Sequence, residues 1–528
     1  MTHASFTRIN PADDVVVALT TIPKGNVIEG VTLLDDIPAG HKAAMRAIAK
    51  GAAVHKYGSP FGLATAAIAA GEHVHLHNVA SRPGLSAVPD HEIASEQPQL
   101  PALPAWARDA MFAGYVRPDG RVGTANWVAI IPTVNCSVTV ARQAAEQASA
   151  VLRPLLAQYP NIDGVVAIPH ATGCGVAANS PQHRQVAQCL ANLANHPNVG
   201  LVVYVGLGCE VGQFTGAHQA GLVQIQPLIG DSRTDRAVEH FVIQRDGGTA
   251  ETVAGIVAAV QRRLPELNRQ QRQPVPASEL ILGMNCGGSD GYSGLTANPL
   301  VGDVANVLAA VGATTVLAET PETWGAHAAI ARRAKSVAVG KKFLNFFPWW
   351  ERYMAIFTEL HDFTFSINGN PSDGNKRGGL TTIEEKSLGA ATKGGTTPLN
   401  AAYDYGAMVD PHMGFTFMNT PGLDQVSMTG LICGGCNLNV FTTGNGSCLG
   451  TVLAPTIKIA SNSLMFNRMR GDMDFDAGQI VSGRSRDELA QELFAYLLEV
   501  ASGRQQTRSQ VLGYGPSEFE IWNIGPTY

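Results

Sequence analysis

Hydrophobic and polar positions change rhythm along this chain. Over residues 13–80 short apolar runs alternate with turn signals, as in VVVALTTIPKGN, VIEGVTLLDDIPAGHK and GLATAAIAAGEHVHLHN, a spacing that predicts a compact, mostly β module. The stretch SRPGLSAVPDHEIASEQPQLPALPAW has neither the strand nor the helix period and is rich in Pro, Ser and acid, so residues 81–106 read as a linker. From about residue 125, β-rich apolar runs (NWVAIIPTV, GVVAIPH, GLVVYVGLG, LILGMNC, TTVLAE) alternate with helical stretches such as VARQAAEQASAVLRPLLAQ and PLVGDVANVLAAVG. That alternation is the rhythm of βαβ units and a parallel sheet. Polar PELNRQQRQPVPASE at 265–279 divides the body into two lobes; FTFMN, NLNVFTTG and TIKIAS add strands to the second, and ELAQELFAYLLEVAS adds a helix near the end. The expected architecture is therefore α/β: a β module over 1–80, a linker over 81–106, a first α/β lobe over 107–270 and a second over 271–528.

Length agrees, since 528 residues at roughly 150 per domain predict three or four units. The 37 basic against 43 acidic side chains leave a net charge of −6 with no basic stripe, which argues against nucleic acid or an anionic membrane and for a small-molecule partner. A homo-oligomer is compatible with this composition. No apolar run approaches the roughly 18 residues that span a bilayer, and no basic-then-apolar leader opens the chain, so a cytoplasmic location is expected. Eight cysteines are too sparse for a disulfide framework, and several stand in Gly-rich turns, where a ligand or reactive thiol is the better expectation.

Chemistry collects just beyond the strands. Cys136 follows the first, His170 and Cys174 the second, Cys209 and Glu210 the third, Cys286, Ser289 and Asp290 the fourth, and Glu319 and Glu322 the fifth. Parallel α/β sheets bind ligands outside the carboxyl ends of their strands, so these five ends predict one converging site. In the N-terminal module, HVHLHN would set His73, His75 and His77 on one face of a strand, where imidazoles can ligate a transition metal or bind a carboxylate. His41 and Lys42 in AGHK form a candidate anion-binding pair. The loop NPSDGNKRGGL carries Asn375, Lys376 and Arg377 and can offer N–H groups and cations to an anion; Glu384, Glu385 and Lys386 follow it. Neither this loop nor GLGCEVG at 206–212 has the spacing for ATP or NAD. Cys433-Gly-Gly-Cys436 with Cys448 is a single CxxC, too little for a zinc ribbon.

AGHK, IAKGAAVHKYG, AAGEHVHLHN, HATGCG, GLGCE, CGGSDGYSGLTANP, NPSDGNKRGGLTTIEEKSLG and FTTGNG together resemble the altronate/galactarate dehydratase family of sugar-acid hydro-lyases, on the altronate side of it. The resemblance implies an N-terminal SAF (β-clip) domain, a dehydratase body, and loss of water from a polyhydroxy carboxylate to give a 2-keto-3-deoxy acid. It also implies a divalent metal, usually Fe2+, with Mn2+ or an Fe–S cluster as alternatives, held by some of Cys136, Cys174, Cys209 and Cys286 or by His73 and His75. Dehydration needs a base for the C2 proton, an acid for the departing hydroxyl and a cation for the enediolate. The expected roles are His170 or Lys386 as base, Asp290 or Glu210 as acid, and Lys376 with Asn375 clamping the carboxylate, with His41, Lys42 and Ser289 as further substrate contacts. Where the family typically reads TGRGTP, this chain has Thr443-Gly444-Asn445-Gly446-Ser447-Cys448, so a guanidinium is replaced by an amide and the choice among aldonates and aldarates stays open. Sulfolactate sulfo-lyases share this body, which leaves carbon–sulfur lyase chemistry as an alternative; a non-catalytic sugar-acid sensor is another.

Overall fold

The strand Val15–Ala18 sends Val15 to one apolar cluster, with Val54, Phe61 and Val74, and Val16 and Ala18 to another, with Ile22, Ile28 and Leu33. A period of two with both faces covered makes this short strand the spine of the N-terminal domain. It pairs antiparallel with Phe6–Thr7 and Lys42–Ala44, and the latter with His73–Val74; Ala53–Lys56, Ser59–Ala64 and Val79–Ala80 form a second antiparallel sheet. The computed structural model describes residues 5–82, 85–155, 157–177, 180–210, 238–356, 369–515 and 518–524; Val211 and Gly212 of the GLGCEVG turn lie outside them. The connecting stretch holds only short 3-10 turns and lies along the second lobe: Ala94 and Glu96 donate N–H bonds to the Ala331 and Arg332 carbonyls, and Glu92 pairs with Arg332 at 2.6 Å.

The first lobe is a four-stranded parallel sheet in the order Gly164–Ala167, Trp127–Pro132, Val199–Gly206, Val238–Val242. Val128, Ile130, Leu201 and Val203 face helices Val138–Leu152 and Thr249–Leu267, while Ala129, Ile131, Val202 and Tyr204 face helix Pro181–Ala194. The stretch 265–279 does more than separate lobes. Its start completes the helix Thr249–Leu267, and Gln273–Pro276 pairs antiparallel with Met111–Val116, so the strand that enters the first lobe also receives the chain as it leaves.

The second lobe is a seven-stranded parallel sheet, ordered Ala401–Tyr403, Gly414–Met418, Thr314–Leu317, Ile281–Cys286, Leu438–Thr443, Thr456–Ala460, Phe475–Asp476. Helices Ala297–Ala310 and Arg486–Ala501 pack on each other against this sheet, and Asp424–Cys433 lies against the strand Ile281–Cys286. A further long helix, Val337–Ala355, buries Phe343, Phe346, Phe347 and Trp350 and carries Pro348 internally, which hid it from periodicity. The α/β class with an N-terminal β domain is the architecture found.

Candidate active site

The strands Ile281–Cys286 and Leu438–Thr443 are neighbours, yet the chain builds outward from them in opposite directions. Such a switch point opens a crevice at the carboxyl ends of the two strands. Gly287 and Gly288 stand there because a side chain would not fit: a Cβ on Gly287 would lie 2.5 Å from the Asp424 carboxylate, and one on Gly288, at φ 57°, would meet Asn445. Asp290, at the end of the same loop, accepts five hydrogen bonds, from the Tyr292 and Ser293 N–H groups, the Ser293 and Ser461 hydroxyls and the Asn462 amide, at 2.8 to 3.1 Å. Burial raises its carboxyl above the usual range while those donors pull it down. With three N–H donors aimed at it, Asp290 holds two loops together and is poorly placed for the acid role expected of it.

Beside the crevice lies a buried group of acids and lysines. Glu319 follows the strand Thr314–Leu317 in a left-handed conformation, φ 69°, and the turn Thr320–Thr323 brings in Glu322. Glu319 accepts the Cys286 N–H at 2.8 Å with one oxygen, which lies 3.8 Å from Lys393 Nζ; its other oxygen and Lys393 Nζ have no hydrogen-bond partner among the described residues. Glu322 takes Lys386 Nζ at 2.7 Å and the Asn370 amide at 3.0 Å, and Lys386 also donates to Asn370 at 2.9 Å. Asp424 opens helix Asp424–Cys433 from across Gly287. Burial, reinforced by the neighbouring Glu322 and Asp424 charges against the pull of Lys393, pushes Glu319 up to about 8. Burial and then Glu322 push Asp424 up to about 7. Burial works against the Lys386 ammonium, but Glu322 outweighs it and holds the value above that of an ordinary lysine, which removes Lys386 as a neutral base. Burial and Glu319 push the Cys286 thiol up to about 12, so without a bound cation it is a neutral thiol near pH 7.

The N-terminal domain docks on the loop and helix that follow. Glu385 sits between Lys56 Nζ at 2.8 Å and Lys42 Nζ at 2.9 Å, all three side chains fully buried; Lys42 also donates to the Gly379 carbonyl at 2.6 Å. Lys42 is therefore a clamp between domains, unavailable to a substrate anion. His41 Nε2 donates to the Arg377 carbonyl at 3.2 Å, so its Nδ1 accepts from His73 Nε2 at 3.0 Å, and both of its nitrogens are occupied. HVHLHN is no strand throughout: His73–Val74 is followed by a turn closed by Asn78, whose side chain binds the His75 N–H and the His73 carbonyl, and Leu76 is 48 % exposed. The rings nonetheless gather, His73 lying 5.5 Å from both His75 and His77. Burial, followed by the His41 charge for His73 and the Lys42 charge for His75, lowers these two imidazoles to about 4 and about 3, so both are neutral near pH 7.

The remaining expected residues are placed as follows. Asn375, buried, is engaged by a capping box with Ser372 and by a 2.8 Å bond from its amide NH2 to the Ser289 carbonyl, so it shapes the loop. Lys376, partly exposed, pairs with Asp373 at 4.0 Å within its own helix. In the first lobe, His170 Nε2 donates to the Pro132 carbonyl at 2.9 Å and Nδ1 accepts the Thr172 N–H at 3.2 Å, which leaves no lone pair for a base. Glu210 accepts from Thr133 Oγ1 at 2.8 Å and the Gly208 N–H at 2.6 Å. Cys136, Cys174 and Cys209 are exposed on loops at neighbouring strand ends. Among the described residues no hydrogen bond or ion pair links these first-lobe groups to the second-lobe cluster. No three His, Cys, Asp or Glu side chains among the described residues are arranged to hold a metal ion. Lys393 and Asp424 escaped sequence reasoning: one stands past the end of a helix in TKGG, the other opens a helix after PGL, and neither position has a spacing that announces chemistry.

Three family models tile the chain in register with this architecture: the altronate/galactarate dehydratase SAF domain over 4–82, the D-galactarate dehydratase/altronate hydrolase second domain over 114–268, and the D-galactarate/altronate dehydratase C-terminal domain over 277–527. The chain is 36 % identical to the altronate dehydratase of Escherichia coli K12 over 95 % of its own length and 96 % of that protein's. The chain belongs to the altronate/galactarate dehydratase family. It is 33 % identical to the altronate dehydratase of Bacillus subtilis 168, covering 95 % of both, and 34 % identical to the L-threo-forming galactarate dehydratase of Escherichia coli K12, covering 94 % of this chain and 92 % of that one. As a member of this family it is a hydro-lyase. No helix of the described residues is long and apolar enough to cross a membrane.

Proposed function

We propose that this hydro-lyase removes water from an aldonate or aldarate to give the 2-keto-3-deoxy acid, with Asp424 as base and Glu319 as acid. The observation that carries the reading is the pair of buried carboxyls beside the switch-point crevice, one pushed to about 7 and the other to about 8. Two carboxyls poised near the working pH suit a reaction that must take one proton and give another. Asp424 takes the C2 proton, and the C–H electron pair moves into an enediolate with the substrate carboxylate. The Lys386 and Lys393 ammoniums of the same buried group offset that charge. The enediolate collapses, the C3–O bond breaks, and the proton held by Glu319 leaves with the hydroxyl as water. The resulting enol takes up a proton at C3 and gives up the one on its C2 oxygen to become the ketone.

Asn445, which borders Gly288, offers a neutral amide to the end of the substrate, a reason to test aldonates and aldarates side by side. The metal that the resemblance implies enters as a separate arm of the test. Protein purified anaerobically with ferrous iron is screened against aldonates, aldarates and sulfolactate for release of a 2-keto acid, with and without chelator. Turnover of a sugar acid to the 2-keto-3-deoxy product supports the reading. Sulfite release from sulfolactate alone, or inertness to the whole panel, overturns it.

A further inference from the structure

A cavity of about 740 Å³ lies between the first-lobe helix Pro181–Ala194 and the second-lobe helix Val337–Ala355, and the reaction proposed above makes no use of it. Its size falls within the roughly 300–1,000 Å³ of small-molecule sites, and a junction between lobes is where such sites collect. Arg184, Lys342 and Arg352 reach it, against the single carboxylate of Asp404, which approaches Lys342 only to 3.7 Å. Neither guanidinium makes a hydrogen bond or ion pair among the described residues. One wall is aromatic: Trp349 and Trp522 meet edge to face at 5.5 Å, and the Trp522 carbonyl is fixed by the Gln185 amide at 2.7 Å. The floor is rigid, because Asn419 Oδ1 accepts from both Trp350 Nε1 at 2.8 Å and Thr320 Oγ1 at 2.7 Å. Arg184, Lys342 and Arg352 are exposed side chains on two helices at this half-aromatic cavity, and with one lining carboxylate against them they make it attractive to an anion.

We propose that this cavity is a binding site for a small organic polyanion, a phosphate ester or a polycarboxylate, held by Arg184 and Arg352 from opposite lobes with its apolar face on Trp349. Guanidiniums suit either anion because their paired N–H groups match its oxygens two at a time. Two of them on separate helices call for a ligand with charge at two places, and such a ligand would bridge the lobes.

The test is calorimetric titration of the full-length protein with pyrophosphate, ATP and citrate, repeated on the Arg184→Gln/Arg352→Gln double variant. Because neither side chain has a partner among the described residues, the variant is expected to melt with the wild type. The expected result is saturable binding of at least one probe with a dissociation constant below about 1 mM. Binding should weaken by about tenfold or more in the double variant, which retains the wild-type turnover of sugar acid. Pyrophosphate or ATP binding without citrate assigns the phosphate class, and the reverse assigns the carboxylate class. The proposal is overturned if no probe binds, if binding is undiminished in the double variant, or if that variant loses basal turnover, which would make the cavity the mouth of the reaction site.

Discussion

Replacing Glu385 by Gln tests the seam that fixes the N-terminal domain to the body. In the native protein one carboxylate answers two ammoniums, Lys42 and Lys56, with all three side chains fully buried. Burial alone would raise the Glu385 carboxyl, but the two lysines outweigh it and hold it at about 2 against an ordinary 4.5. That depression contributes folding stability at neutral pH, offset in part by Lys42, whose ammonium burial lowers to about 8. Because the folded value is depressed, this contribution is fully present above pH 4.5 and is lost as the pH falls from there towards 2. The Gln variant keeps the shape and removes the charge. Lys42 would retain the Gly379 carbonyl and Lys56 the face of Tyr57, 4.9 Å from its ring centroid, neither of which neutralises an ammonium. Removing one partner of a buried pair costs about 3–5 kcal/mol, and that is the expected loss in urea denaturation at pH 7. Limited proteolysis should report it first within residues 5–82. Adding Lys56→Met to the Gln variant should recover part of the loss, since one of the two stranded charges is then gone. A Glu385→Gln protein within about 0.5 kcal/mol of the wild type, or a double variant weaker than the single, would refute the reasoning.

Asp290→Asn should lower stability by about 1–3 kcal/mol, because an NH2 group replaces the oxygen that accepts from Asn462, and turnover should fall with the loop it anchors; unchanged melting and activity would remove Asp290 from the account. Among the eight cysteines, Cys136, Cys174, Cys209 and Cys448 are exposed and should react within minutes with a thiol reagent at pH 8, while Cys189, Cys286, Cys433 and Cys436 should label only on unfolding. Mass spectrometry of the labelled peptides checks this, and rapid labelling of Cys286 would contradict its burial.

The sheet architecture was legible because strands such as Trp127–Pro132 and Val199–Gly206 carry their apolar residues in an unbroken run, and because Ile130 and Ile131 can both be buried only when helices cover both faces; Val238–Val242, interrupted by Glu239 and His240, gave no such run. The helix Val337–Ala355 was illegible: Pro348 and six aromatic residues within it mask the helical period. For the site, strand-end logic named Glu319 and Glu322, which the fold gathers with Lys386 and Lys393, but it could not foresee the partners that occupy other residues it singled out. His170, His41 and Asn375 look reactive in sequence and prove to be spent on backbone hydrogen bonds, which no spacing rule reveals. Lys393 and Asp424 become chemical groups only through burial beside Glu319 and Glu322, a property of the tertiary packing. Glu385 reads as part of a charged helix, and its meaning depends on two lysines more than 300 residues away in sequence.

The most direct test of the acid–base assignment is the pH profile of kcat/KM, on the sugar acid that the substrate screen identifies, for the wild type and for Asp424→Asn. The wild type should rise through a midpoint near 7, as the base loses its proton, and fall through one near 8, as the acid loses its own; the two carboxyls titrate as an interacting set. Asp424→Asn should lose the rising limb and between about 100-fold and 10,000-fold of its rate. A variant that keeps the wild-type rate and both limbs would contradict the assignment of the buried carboxyl pair to this reaction.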